Sequence, residues 1–136
     1  MGRSEESCRI IFQYFVQRSF LSSRPTCLGK LELDGYCTVY DLAFEYNGIQ
    51  HSSFHPYFHR TYKEFERQLE RDYRKNELCK RYGIILMTIP HIYTYKTIYP
   101  MSIEIYSQLR NAEEIRKKQY MVYRCPHIFK SSTPFF

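Results

Sequence analysis

The 136-residue sequence has no tryptophan, no CxxC pair, only five glycines and no long hydrophobic run. Its longest apolar stretch, residues 83–89, has the length of a strand, whereas a membrane-spanning helix needs about 20 apolar residues. Two acidic residues, Glu5 and Glu6, stand where a signal peptide has its basic region. We therefore expect a cytoplasmic or nuclear protein that is not secreted and has no membrane partner.

The cysteines do not form a pattern that is typical of disulfides or of zinc sites. There are five: Cys8, Cys27, Cys37, Cys79 and Cys125. Their odd number argues against a complete disulfide framework, and the lack of a CxxC pair argues against a zinc ribbon. We expect reduced thiols that are mostly buried.

The composition indicates one globular domain with a basic surface. Hydrophobic residues make up 43% and charged residues 25%, which excludes disorder as the default state of the chain. We expect a single domain over residues 1–136, with a core at about 4–90 and a C-terminal helix and tail at 91–136. The net charge of +6 favours a polyanionic partner such as nucleic acid.

The periodicity of apolar residues predicts an α/β fold. Helices are expected at 4–19, 61–82 and 101–120, strands at 31–36, 41–47 and 84–89, and connections at 20–30 and 52–60. The inner stripe of the second helix should consist of Phe65, Leu69, Tyr73, Asn76 and Cys79, with Asp72 on its edge. This order of elements indicates a central mixed sheet flanked by helices.

Two carboxylates should meet in this sheet. Asp34 lies on the first predicted strand, and Glu45 follows on the next. Neighbouring strands can bring such side chains together, but buried like charges repel each other unless a cation lies between them. Carboxylate oxygens are preferred ligands of Mg²⁺ and Mn²⁺, and such an ion can activate water for attack on a phosphodiester. Taken alone, Asp34-Gly35 would also suit a turn.

A longer pattern surrounds these acids. The stretches LELDGY, LAFEYNGIQH and FERQLERDYRKNELCKRYGIILMTIP together resemble the PD-(D/E)XK nuclease superfamily, and most closely its small branch related to very-short-patch repair endonucleases. The resemblance covers about residues 4–90. It implies a restriction-endonuclease-like core and a Mg²⁺- or Mn²⁺-dependent endonuclease that hydrolyses phosphodiester bonds in nucleic acid, with DNA favoured over RNA.

The resemblance also implies roles for single residues. Asp34 and Glu45 match the metal-binding catalytic acids, and Glu5 matches a glutamate of the first helix, better than Glu6 does, because Glu5 is on the inward face. The usual lysine two residues after the second acid is replaced by Asn47.

Other positions of the pattern complete the implied site. Gln50 and His51 would take over the role of the missing lysine, with Gln50 brought onto the Glu45 face by a bulge at Gly48. Asp72 and Lys75 match supporting positions.

Basic residues outside the acidic pattern are candidates for contacts to the nucleic-acid backbone. They lie on the second helix and in the C-terminal region: Arg67, Arg71, Arg74, Arg116, Lys117 and Lys118.

Two other functions fit parts of the sequence. The missing Glu-x-Lys lysine favours a non-catalytic nucleic-acid-binding module that keeps the nuclease fold. The spacing of His51, His55 and His59 suits a small zinc-binding interaction domain, although Pro56 argues against a regular helix there. The sequence leaves open whether the chain forms a homodimer or is part of a larger protein.

Overall fold

The computed structural model describes residues 2–47 and 61–123, with only the backbone described for Asn47 and for residues 120–123. The helices are α1 (Arg3–Val16), α2 (Tyr62–Arg81) and α3 (Ile98–Tyr123). The strands are β1 (Leu21–Ser23), β2 (Leu33–Cys37), β3 (Leu42–Asn47) and β4 (Ile85–Pro90), and a short 3₁₀ turn covers Thr26–Leu28. None of the helices within these ranges is long and apolar enough to cross a membrane.

The four strands form one mixed sheet in the order β1-β2-β3-β4. β1 pairs with β2 and β2 with β3 in antiparallel fashion, whereas β3 and β4 are parallel and are joined through α2. The prediction of an α/β fold with a mixed sheet flanked by helices is confirmed. The segment 20–30, which was expected to be a loop, instead contributes the edge strand β1 and the 3₁₀ turn. A strand of three residues is too short to leave a periodic signal.

The two faces of the sheet have separate hydrophobic clusters. Phe44 of β3 packs with Phe12 of α1 and Ile105 of α3 on one face. Ala43, the next residue along the chain, packs with Cys79 of α2 on the other face. Alternate residues of a strand point to opposite faces, so β3 lies between the α1–α3 layer and the α2 layer.

The core extends beyond residue 90. Four fully buried or nearly fully buried side chains of α3 belong to the same cluster as Phe44: Met101, Ile105, Leu109 and Ala112. Residues 4–90 therefore do not enclose the whole core, because the apolar stripe of α3 covers one face of the sheet.

Local sequence explains the ends of the helices. The Thr61 side chain caps the start of α2 by accepting a hydrogen bond from the backbone N–H of Glu64. Gly83 follows the end of the helix, as predicted, and its φ of +75° is a left-handed conformation that glycine adopts easily. α1 ends at Val16, earlier than the predicted Ser19, and the next residue, Gln17, has a left-handed conformation. Ser4 lies inside α1, and its hydroxyl accepts a hydrogen bond from the backbone N–H of Tyr95.

The predicted inner stripe of α2 is wrong for two of its apolar members. Leu69 is 45% exposed and Tyr73 is 69% exposed, whereas Gln68 and Cys79 are buried. The helix turns a partly polar face toward the sheet, and Lys75 on that face pairs with Glu45 of β3. Hydrophobic periodicity could not reveal that a charged residue of this helix faces an acid of a distant strand.

Candidate functional site

Asp34 lies where β2 and β3 diverge. The regular pairing of these strands ends at Gly35 and Phe44. Beyond this point the Asp34 side chain, and not the backbone of β2, accepts a hydrogen bond from the Tyr46 N–H, at 2.8 Å. The Asp34 carboxylate is therefore held beside β3 at the level of Glu45.

Gly35 is required for close packing and not for a turn. It lies within β2, opposite Phe44, and a Cβ atom at this position would collide with the Phe44 ring. The alternative interpretation of Asp34-Gly35 as a turn is thereby excluded.

Glu45 lies between the carboxylate of Asp34 and the ammonium group of Lys75. Its Oε1 atom is 2.7 Å from Nζ of Lys75, and both side chains are only 16% exposed. Burial raises the pKa of the Glu45 carboxyl, and the nearby Asp34 raises it further, while Lys75 acts in the opposite direction. Two acids from neighbouring strands and one lysine from α2 thus form a compact, largely desolvated group.

Glu5 approaches the same acids from α1. Burial raises the pKa of the Glu5 carboxyl, and the nearby charge of Asp34 raises it further. The acids Glu5, Glu32, Asp34 and Glu45 line one cleft of about 580 Å³, and Arg3, Lys75 and Tyr95 contribute to its other walls. We refer to this cleft as the carboxylate cleft. Glu6 does not line it, in agreement with the preference for Glu5.

Arg9 holds the acids in place, and the sequence analysis did not identify it. The residue is 6% exposed. Its guanidinium donates to the backbone oxygens of Phe20 and Asp34 and lies 3.3 Å from Oε2 of Glu5. It also lies 5.6 Å from the centre of the Phe44 ring. The available signal was the position of Arg9 directly after Cys8, next to the inward face of α1. An arginine buried there needs several hydrogen-bond acceptors, which would have marked it as part of a polar site.

Tyr46 is a second residue that the sequence analysis did not identify as part of the site. Its N–H is held by Asp34, and its hydroxyl donates to the backbone oxygen of Tyr93 at 2.8 Å, with the oxygen of His91 at 3.3 Å. Tyr46 therefore ties the loop after β4 to the strand that carries Glu45.

Asp72 and Lys75 are one helical turn apart on α2 and lie at the site. Both line a small recess of about 90 Å³ next to Glu45, together with Asn76 and Thr88. The structure thus brings the predicted supporting residues beside the predicted catalytic acid, with Lys75 in direct contact.

The predicted nucleic-acid contacts do not line the carboxylate cleft. Arg67, Arg71 and Arg74 are exposed on α2. Nη2 of Arg116 lies 3.5 Å from the backbone oxygen of Asp41, which precedes β3, at the opposite end of the strand from Glu45. The neighbouring residues Lys117 and Lys118 are exposed. Their proposed role therefore requires a nucleic acid that extends well beyond the acids.

A larger groove, of about 820 Å³, follows the outer face of α2. Leu69, Tyr73 and Arg74 contribute to its lining. We place the candidate site at the smaller carboxylate cleft because Glu45 and Lys75 are largely buried there and in direct contact.

Several predicted features lie outside the described residues. These are the bulge at Gly48 and the side chains of Gln50, His51, His55 and His59, on which the predicted proton transfer and the zinc alternative depend. In residues 2–47 and 61–123, no group of three or more histidine, cysteine, aspartate or glutamate side chains is arranged as a metal site. Cys8, Cys37 and Cys79 are buried free thiols, as predicted, and Cys27 is half-buried.

Three viral proteins are similar in sequence to this chain. "Uncharacterized protein 033L" of Invertebrate iridescent virus 3 is 30% identical over 116 residues, which are 81% of this chain and 58% of that protein. "Uncharacterized protein 307L" of Invertebrate iridescent virus 6 is 40% identical over 68 residues, covering 50% of this chain and 34% of the viral protein. "Uncharacterized protein 094L" of Frog virus 3 (isolate Goorha) is 39% identical over 69 residues, or 50% and 43% of the two chains.

The chain therefore matches between 34% and 58% of the length of these relatives. No protein-family description and no solved structure matches the chain. Because the names of the relatives state no activity, a function has to be argued from the carboxylate cleft itself.

Proposed function

We propose that this chain is a metal-dependent endonuclease with a restriction-endonuclease-like core, related to the PD-(D/E)XK superfamily. Its substrate would be nucleic acid, DNA rather than RNA, in the cytoplasm or nucleus. The observation that carries the proposal is the meeting of Asp34 and Glu45, from neighbouring strands, in a cleft where Lys75 contacts Glu45. The activity of any longer protein that contains this chain is part of the same proposal.

The donor set suits a hard divalent cation. Asp34 and Glu45 supply carboxylate oxygens, and the charge of Asp34 adds to the burial that raises the pKa of Glu45. A cation held by these two side chains, with Glu5 as a further carboxylate, would relieve that repulsion. Bound Mg²⁺ or Mn²⁺ would supply Lewis acidity toward the phosphodiester and lower the pKa of a water molecule.

Lys75 is the best candidate for the role of the missing strand lysine. It places an ammonium group beside Glu45 from α2, whereas a neutral Gln50 amide cannot supply a positive charge. We propose that Lys75 stabilises negative charge on the phosphate once Glu45 binds the cation. Gln50 would then orient water or a phosphate oxygen, and His51 would transfer a proton.

A non-catalytic nucleic-acid-binding protein is the second candidate. Lys75 already pairs with Glu45, and Arg9 already contacts Glu5. Such pairs could stabilise a site that has lost its metal, in line with the lack of a three-residue metal site in the described ranges.

A nicking assay on supercoiled plasmid, with Mg²⁺, with Mn²⁺ and with EDTA, tests the proposal. The wild-type chain should cleave only with metal, and Asp34→Asn, Glu45→Gln and Lys75→Met should each lower the rate roughly a hundredfold or more. Glu114→Gln is the matched control, because this exposed carboxylate pairs with Lys117 on α3 and lies outside the cleft.

Circular dichroism would verify that each variant is folded. Wild-type cleavage by either the Asp34 or the Glu45 variant would contradict the proposed metal site. Binding of plasmid without metal-dependent cleavage would instead support the non-catalytic candidate.

A further inference from the structure

Three side chains form a basic and aromatic rim at the edge of the carboxylate cleft. The Arg3 guanidinium lies 5.4 Å from the centre of the Tyr95 ring, and Nζ of Lys96 lies 5.8 Å from it. Arg3 and Tyr95 line the cleft together with Glu5, Asp34 and Glu45. We call Arg3, Tyr95 and Lys96 the cationic rim.

The backbone that carries Tyr95 is connected to the acids. The Tyr95 N–H donates to Ser4 of α1, one residue before Glu5. Two residues before Tyr95, the Tyr93 oxygen accepts from the Tyr46 hydroxyl, and the Tyr46 N–H is bound by Asp34. The backbone at Tyr95 is thus held in place before any ligand binds, which reduces the entropic cost of binding.

The loop that carries the rim is also braced internally. The Thr94 N–H donates to the Thr97 hydroxyl at 2.9 Å, and the Lys96 N–H donates to the Thr94 hydroxyl at 3.2 Å. These bonds satisfy backbone donors of a short turn and limit its motion.

The charge pattern suits a polyanion at the rim. Four carboxylates line the cleft and would repel phosphate groups, so a nucleic acid needs compensating cations close by. In the part of the chain that the structure describes, neither Arg3 nor Lys96 forms an ion pair with a carboxylate. Both are exposed and available to phosphates.

Tyr95 adds a preference for unpaired bases, which charge alone does not supply. The residue is 39% exposed although it is a large aromatic, and exposed aromatics beside basic side chains bind single strands by stacking on bases. A paired base inside a duplex has both faces covered by its neighbours, so it can stack on a protein ring only after the base stack is opened, which costs free energy.

We propose that the cationic rim binds an unpaired nucleotide of the substrate: the exposed Arg3 and Lys96 side chains turn from the Tyr95 ring to the flanking phosphates, and the base stacks on the ring. The substrate would then be nucleic acid with a single-stranded or locally unpaired segment beside the cleaved bond. This inference rests on the proposed nuclease function of the carboxylate cleft.

Fluorescence anisotropy in EDTA tests the rim separately from cleavage. The probes are a labelled oligothymidylate and a blunt duplex of the same length. Tyr95→Ala should weaken binding of the oligothymidylate roughly fivefold to a hundredfold, with duplex binding unchanged, whereas Tyr95→Phe should keep wild-type affinity. Arg3→Gln and Lys96→Gln should each reduce the slope of log K against log salt for the single strand by about 0.7.

Lys80→Gln, which removes an exposed lysine of α2 outside the cleft, is the control and should leave the affinity for the oligothymidylate unchanged. The inference is overturned if Tyr95→Ala weakens both probes equally or neither of them. Rim-dependent binding without metal-dependent cleavage would contradict the nuclease function and leave the binding site standing. Metal-dependent cleavage of duplex and single strand that is unaffected by Tyr95→Ala would support the nuclease function and contradict the role of the rim.

Discussion

At the scale of single residues, Glu45 is the most strongly perturbed acid of the carboxylate cleft. Burial and Asp34 favour its protonated form, and Lys75 favours its charged form. The net result is a raised pKa, so a proton competes with any cation for the Glu45 oxygens. A nuclease built on this residue should become more active as pH rises and Glu45 loses its proton.

The raised pKa of Glu45 also predicts how stability depends on pH. A carboxyl whose folded-state pKa is raised contributes stability that is complete below its ordinary value of 4.5 and is lost as pH rises through the folded-state value. In metal-free buffer, the melting temperature of the wild type should therefore fall as the pH rises from 4.5 to about 8. It should fall less in Glu45→Gln, which has no charge to bury.

Calorimetry across the pH range provides the measurement, with Glu114→Gln as an exposed control that should follow the wild type. Mn²⁺ should restore most of the loss in the wild type and little in Glu45→Gln. Parallel pH curves for the wild type and Glu45→Gln would show that Glu45 does not carry this dependence.

At the scale of secondary-structure elements, Arg9 joins three parts of the fold. Its guanidinium connects α1 to the residue before β1, through the Phe20 oxygen, and to β2, through the Asp34 oxygen. The same group contacts Glu5 and Glu6 within α1. The position of the first-helix glutamate relative to the strand acid therefore depends on one buried cation.

Replacing Arg9 by methionine should destabilise the fold by roughly 2–4 kcal/mol, because buried backbone oxygens lose their donor and Glu5 loses its cation. Urea unfolding gives this free energy. The matched control is Arg24→Met, which breaks an exposed pair with Glu32 and should cost about 0–1 kcal/mol. Equal unfolding midpoints for the two variants would contradict the bracing role of Arg9.

At the scale of the whole molecule, α3 completes the core that supports the site. Its buried side chains pack in the same cluster as Phe12 and Phe44, and Phe44 lies next to Glu45 in β3. Gln108 of α3 also donates to the backbone oxygen of Thr88 in β4. The strand that carries Glu45 is thus covered by residues far along the chain.

Two substitutions on α3 test its place in the core. Leu109 is fully buried, so Leu109→Ala should destabilise the protein by roughly 2–5 kcal/mol. Ile103 lies on the same helix but is largely exposed, so Ile103→Ala should change the free energy of unfolding by no more than about 0.5 kcal/mol. If Leu109→Ala lowered the free energy of unfolding as little as Ile103→Ala does, α3 would add little to the core.

Much of the fold could be predicted because its signals are local. The period of two along the predicted strand puts Leu42 and Phe44 on one face and Ala43 on the other, and the structure distributes these residues accordingly. The end of α2 at Gly83 follows from the conformational freedom of glycine. The meeting of Asp34 and Glu45 was predicted from strand adjacency and from the family resemblance.

The sequence by itself determined the α/β class, the strands that carry the two acids and the end of the second helix, since each depends on spacing between near neighbours. Only the tertiary structure decided that Lys75 meets Glu45, that Arg9 holds Asp34 and that Tyr95 lies at the edge of the cleft. These contacts join residues from separate elements, and such pairings depend on how the helices rotate and pack against the sheet. No local pattern contains that information, which is why Leu69 and Tyr73 were assigned to the wrong face of α2.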